Sequence, residues 1–140
     1  MSIRRFAACE RAGLMLFDTD VLIWYMRGNT KAAAIIEEFP AKSISVITYM
    51  ELLQGVRNKD EIKLVRDFLK DLDFVVIPLT ENIGHRASVY MEQYCLKADM
   101  CLSDALIAAT AVENNLPVCT GNSRHYKPIG ELQIKTFRNR

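Results

Sequence analysis

The chain alternates short apolar runs with longer stretches of helical periodicity. Leu14-Met15-Leu16-Phe17 is too short for a helix and suits a central strand. It stops at Asp18-Thr19-Asp20, and Val21 to Met26 then begin a helix that Gly28 ends. Thr30 to Phe39 predicts a second helix, with Ala33, Ile36 and Phe39 inward and Pro40 as its stop. Ser43 to Val46 reads as the second strand, and Ile47 to Val56 as a helix carrying Glu51. Asp60 to Leu72 is amphipathic: Ile62, Val65, Phe68 and Leu69 face in while its charges face water. Phe74 to Ile77 predicts a third strand, and Thr80 caps a helix reaching about Leu96, with Ile83, Ala87, Tyr90 and Tyr94 on one side. Lys97 to Met100 is a loop, and Leu132 to Phe137 alternates as a last edge strand does.

The stretch from Cys101 to Asn122 organises the rest. Ser103 is a candidate N-cap, and Asp104 places a carboxylate where the helix dipole favours one. Leu106, Ile107, Ala108, Ala111 and Val112 form an apolar stripe, and Asn114-Asn115 ends the helix. Val118-Cys119-Thr120 then reads as a short buried strand with Gly121-Asn122 at its carboxyl end. Strands alternating with helices imply βαβ units, an α/β fold with a parallel sheet and right-handed crossovers. In such sheets, sites are built at the carboxyl ends of the strands.

A length of 140 residues fits one domain with its own core. The basic start of residues 1–13 is interrupted by Glu10 and Arg11 and reads as an extension outside the fold, which leaves 14–140 as a single domain. A net charge of +1 gives no bulk argument for a nucleic-acid partner, so only local patches can make one. Cys9, Cys95, Cys101 and Cys119 lack metal-ligand spacing and read as reduced thiols of a cytoplasmic protein, three of them in the core. No apolar run is long enough to span a bilayer.

The acids carry the chemistry. Most Asp and Glu residues fall on charged helix faces, but Asp18, Glu51 and Asp104 are each embedded among apolar neighbours. A carboxylate rarely accepts burial without a partner, and no Lys or Arg lies at a spacing that would pair with all three. Any one of them alone reads as a helix cap or surface acid. Three at successive strand-to-helix junctions read as a site. Oxygen-only donors point to a hard ion, magnesium or manganese.

The segments LFDTDVLIWYMRG, SVITYMELLQGV, LSDALIAATA and TGNSRHYKPI resemble PIN-domain ribonucleases, and more narrowly the VapC toxins of type II toxin–antitoxin pairs. The resemblance runs from Met15 to about Phe137. It implies a central parallel sheet flanked by helices, an α/β/α sandwich, with Asp18, Glu51 and Asp104 as magnesium-binding acids and Asn122 in the fourth catalytic position. Asn122 stands where many relatives carry Asp, which removes a charge and puts a second metal ion in question. Asp20 reads as a first-turn acid that stabilises its helix, with orientation of a water at the metal as a second possibility; Asp99 reads as a loop acid.

The implied reaction is magnesium-dependent phosphodiester hydrolysis, leaving 5′-phosphate and 3′-hydroxyl ends. No His–His pair suits attack by the ribose 2′-hydroxyl: His85 reads as a helix-surface residue and His125 as a packing or phosphate contact. Arg27, Arg57, Lys59, Arg124 and Lys127 are candidates for a cationic rim that contacts RNA. The resemblance also implies a cognate antitoxin and a homodimer, for which Trp24-Tyr25-Met26 and Tyr90-Met91 are the candidate apolar surfaces.

The alternative within the fold is a catalytically weak module that binds RNA or a partner, against which the three retained acids argue. A receiver-like signalling module is disfavoured: its acceptor position is occupied by Ile77-Pro78-Leu79-Thr80, and Gly121-Asn122 stands where it needs lysine.

Overall fold

The computed structural model describes residues 13–139. The elements follow in the order β1 (Leu14–Phe17), α1 (Thr19–Met26), α2 (Thr30–Glu38), β2 (Ala41–Ser45), α3 (Val46–Gln54), α4 (Lys59–Asp71), β3 (Val75–Ile77), α5 (Glu81–Tyr94), α6 (Leu102–Glu113), β4 (Val118–Thr120), a 3-10 turn (Ser123–His125) and β5 (Ile134–Thr136). The five strands pair in parallel in the order β3-β2-β1-β4-β5, with β1 central. The reading of residues 1–13 as an extension lies, for 1–12, outside the described residues. Gly13 is described, and its carbonyl accepts the Ala41 N–H at 3.1 Å beside the β1–β2 ladder.

Strand order decides where a site can form. From β1 the chain steps to β2 and β3 on one side, then returns to lay β4 and β5 on the other. The crevice beyond the carboxyl ends of β1 and β4 is therefore the topological switch point, where no crossover covers the sheet edge. Register puts Phe17 beside Cys119, so Asp18, just after β1, and Thr120, the last residue of β4, come together there.

The period-two alternation of β1 divides the core. Leu16 and Val118 face one layer with Ile83, Ala87 and Tyr90 of α5 and most of α6. Met15, Phe17 and Cys119 face the other, with Val21, Leu22, Ile36, Val65 and Leu69. Helices thus cover both faces, as the resemblance implies. Among the described residues, no helix is long and apolar enough to cross a membrane.

Several helices stop in the same way. α1, α4 and α6 end with Gly28, Asp73 and Asn115 in the left-handed region. The next amides reach back five residues: Asn29 to Trp24, Phe74 to Leu69 and Leu116 to Ala111, at 2.9–3.0 Å. This is the Schellman arrangement, which satisfies carbonyls that the helix leaves free and turns the chain sharply. Leu116 is thereby buried just before β4.

Four expectations change. α6 starts at Leu102 with Cys101 as N-cap, not at Ser103. The cause is Asp104, whose Oδ2 accepts the Cys101 N–H at 3.4 Å and draws the helix start two residues earlier. The apolar stripe of α6 is wider than predicted: Ala105 and every residue from Ile107 to Val112 are buried, because α5 and the sheet enclose it. Of the described cysteines only Cys119 is in the core, where burial pushes its thiol up to about 12; Cys95 and Cys101 are exposed. The apolar segments proposed for assembly divide, with Met26 exposed and Trp24, Tyr25 and Met91 half-buried. Tyr90 is buried, and Tyr25 packs on Phe68 with ring centroids 5.0 Å apart.

Candidate active site

Asp18 leaves β1 as the N-cap of α1. Its Oδ1 accepts the Thr19 N–H at 2.8 Å, and its Oδ2 accepts the Thr120 hydroxyl at 2.8 Å. Thr120 ends β4, and its oxygen in turn accepts the Asn122 N–H at 2.9 Å. One buried hydroxyl thus joins the two strand ends at the switch point. Asp18 is 7% exposed, and burial, then the charge of Asp20, push its carboxyl up to about 7.

Asp104, in the first turn of α6, faces the same crevice. Its Oδ2 lies 2.9 Å from His125 Nδ1, and its Oδ1 accepts the Tyr126 hydroxyl at 3.4 Å. Tyr126 is fully buried, and its hydroxyl also acts on the Asp18 carboxyl, favouring its ionised form. Burial, then the charges of Asp18 and Asp104, hold its phenol well above the ordinary range. A single phenol proton cannot serve two ionised carboxylates at once. The pair is at ease only if Asp18 keeps a proton or a cation takes up the charge.

Glu51 joins from α3. Its Oε1 accepts the Thr19 hydroxyl at 2.7 Å, and Thr19 Oγ1 is 3.0 Å from Thr48 Oγ1. Thr19 has one hydroxyl proton, so it donates to Glu51 and accepts from Thr48. Glu51 is therefore tied to the β1–α1 junction through Thr19. Asn122 lies at the mouth, its amide 3.2 Å from His125 Nδ1. A carboxylate only accepts, so Nδ1 carries the hydrogen shared with Asp104.

A family model described as PIN domain matches residues 15–130. The chain belongs to the PIN-domain family. It is 30% identical over 125 residues to Ribonuclease VapC1 of Methanocaldococcus jannaschii, covering 88% of this chain and 86% of that protein. It is 33% identical over 125 residues to Ribonuclease VapC10 of Mycobacterium tuberculosis, covering 86% and 91%. A solved structure described as a toxin-antitoxin complex from Klebsiella pneumoniae superposes with a TM-score of 0.74 at 28% identity, over 87% of this chain and 96% of that one.

PIN-domain ribonucleases in general depend on a divalent metal. The donors in this PIN domain fit such an ion in kind: carboxylate oxygens, among them a buried Asp20 Oδ1 with no hydrogen-bond partner. Among the described residues, no three His, Cys, Asp or Glu side chains already form a cage around one point. A small hard ion that keeps several waters and takes one or two carboxylates suits that arrangement.

The predicted cationic rim divides. Arg124 and Lys127 are exposed on the turn that carries His125 and Tyr126, beside the crevice. Arg27 and Arg57 line a groove of about 590 Å³ that runs from Glu51 between α1, α3 and α4. Arg27 lies over the Trp24 ring and Arg57 pairs with Glu61 at 3.1 Å, while Lys59 is exposed at the start of α4. His125 contacts Asp104 itself, a closer placement than the packing or phosphate role read from sequence. Thr19, Thr120 and Tyr126 were not singled out in the sequence. Their signal was present as polar residues directly beside each embedded acid or strand end.

Proposed function

We propose that this chain is a magnesium-dependent endoribonuclease, the toxin of a type II toxin–antitoxin pair, acting on RNA phosphodiester bonds. The observation that carries the reading is the meeting of Asp18 and Asp104 at one buried hydroxyl, that of Tyr126, at the switch point of a PIN domain. Relatives named ribonucleases and a structural neighbour described as a toxin-antitoxin complex support it.

A bound divalent ion would supply Lewis acidity to the phosphodiester and make an attacking water more acidic. Asp18, Asp104 and Glu51 are the residues that would hold it. Thr120 and Thr19 fix the first and last of these, so little reorganisation is needed when charge develops. His125 keeps Asp104 oriented, and Arg124 and Lys127 offer charge to the substrate backbone. Residues 14–140 would act as one PIN domain, as a homodimer, in the cytoplasm. The partner would be an antitoxin that covers the acidic crevice.

The test is cleavage of RNA by purified protein with magnesium, with chelator and with an Asp104→Asn variant. Magnesium-dependent products with 5′-phosphate ends, absent from the variant, are the expected result. Cleavage that survives in Asp104→Asn would point to a contaminant. RNA binding without cleavage would favour the non-catalytic module.

A further inference from the structure

Asp20 lies two residues beyond Asp18, in the first turn of α1, and a helix-stabilising role is its ordinary reading. Its carboxylate instead crosses to the far side of the crevice. Oδ2 accepts the Gly121 N–H at 2.9 Å, at the end of β4 and 101 residues away. A Cβ at position 121 would stand 2.7 Å from that oxygen, so the approach requires glycine there. Oδ1 is buried and has no hydrogen-bond partner among the described residues. An orphaned carboxylate oxygen in a low-dielectric setting is costly unless something positive meets it.

It meets the same strand end as Asp18: the Thr120 hydroxyl donates to Asp18 at 2.8 Å and the next residue, Gly121, donates to Asp20 at 2.9 Å. Asn122, which occupies the fourth catalytic position by resemblance, has no charge and is exposed at the mouth of the crevice.

We propose that Asp20, and not Asn122, completes the cation site by supplying a further carboxylate charge beside Asp18, Glu51 and Asp104. The proposal rests on the reading that the crevice takes a divalent cation. It assigns Asp20 as a positioning and charge-balancing group whose free Oδ1 is directed to the cation and its hydration, with Oδ2 held by Gly121. Asn122 is left to meet the substrate.

The experiment is manganese binding by calorimetry, together with thermal melts in chelator and in manganese, on the wild type and on Asp18→Asn, Asp20→Asn and Asn122→Ala. Asparagine at position 20 can still accept the Gly121 N–H, so the strut is kept and only the charge is lost. The expected result is a manganese affinity weakened on the order of 10–100-fold in Asp20→Asn, as for loss of a group supporting a metal site. Asn122→Ala should stay within about twofold of the wild type, since it removes no charge. In chelator, Asp20→Asn should melt no lower than the wild type, because neutralising one of three neighbouring acids relieves repulsion.

Wild-type affinity in Asp20→Asn, with binding lost in Asp18→Asn, would overturn the assignment while leaving the cation reading intact. Equal losses in Asn122→Ala and Asp20→Asn would overturn it too. A lower melt of Asp20→Asn in chelator would make Asp20 a structural tie to β4 and end the proposal. Absence of manganese binding in the wild type would remove the cation reading itself.

Discussion

Thr19 Oγ1 donates to Glu51 Oε1 at 2.7 Å while sitting 3.0 Å from Thr48 Oγ1, so one hydroxyl fixes the only candidate acid that comes from α3. Thr48 is fully buried and has its side-chain partner in Thr19. Thr19→Val should cost about 1–3 kcal/mol, the range for stranding a buried polar group. RNA cleavage should fall with it because Glu51 is released, and Thr19→Ser should recover both. Urea denaturation and a cleavage assay on the same preparations check this. A valine variant with wild-type activity would show that the tie does not matter.

Asp18 sets the response to pH. Its folded carboxyl is raised from 3.8 to about 7. Between those values the folded state holds a proton that the unfolded chain has released, so stability falls as pH rises. In chelator, the contribution of Asp18 should therefore be fully present below about pH 4 and be lost as pH rises through 7, on the order of 4 kcal/mol by pH 8. Asp18→Asn should flatten that slope and raise the melt at pH 8. Magnesium should restore wild-type stability at pH 8 by mass action. Melts across pH with chelator or magnesium test it, and a wild-type profile that rises from pH 5 to 8 in chelator would contradict it.

Tyr126→Phe keeps the buried ring and removes only the hydroxyl between Asp18 and Asp104. The loss should be about 1–3 kcal/mol, and larger at pH 8 than at pH 5, because ionised carboxylates need the donor most. Denaturation midpoints at the two pH values give the difference. Equal losses would mean that the hydroxyl only fills space.

Inhibition by an antitoxin should include competition at this crevice. Three carboxylates with few compensating cations suit an arginine from another chain, through bidentate charge-assisted bonds. The antitoxin's C-terminal segment alone should inhibit RNA cleavage, and added magnesium should relieve that inhibition. Complete inhibition indifferent to magnesium, and unchanged when the segment's arginines are neutralised, would rule out occlusion of this pocket.

Local pattern alone determined the alternation of strands and helices, the central place of Leu14–Phe17, the buried strand before Gly121 and the identity of the embedded acids Asp18, Glu51 and Asp104. Those features are local because hydrophobic period and breaker residues report burial a few positions at a time. The start of α6 was misplaced because a carboxylate three residues inside the helix set the cap. Of the aromatic segments read as candidate surface, Tyr90 is buried because α6 and the sheet enclose that face of its helix, which local pattern does not report.

Only the tertiary structure decided how the acids are held. Thr120 reaches Asp18 across 102 residues, Gly121 meets Asp20 across 101, and Tyr126 lies under Asp104 across 22. Strand order and register create these meetings, and neither is encoded at short range in the chain. A hydroxyl or glycine next to an acid looks ordinary in sequence. It becomes part of a site when the sheet folds another strand end against it, away from water, where an unpaired carboxylate must find a donor or a cation.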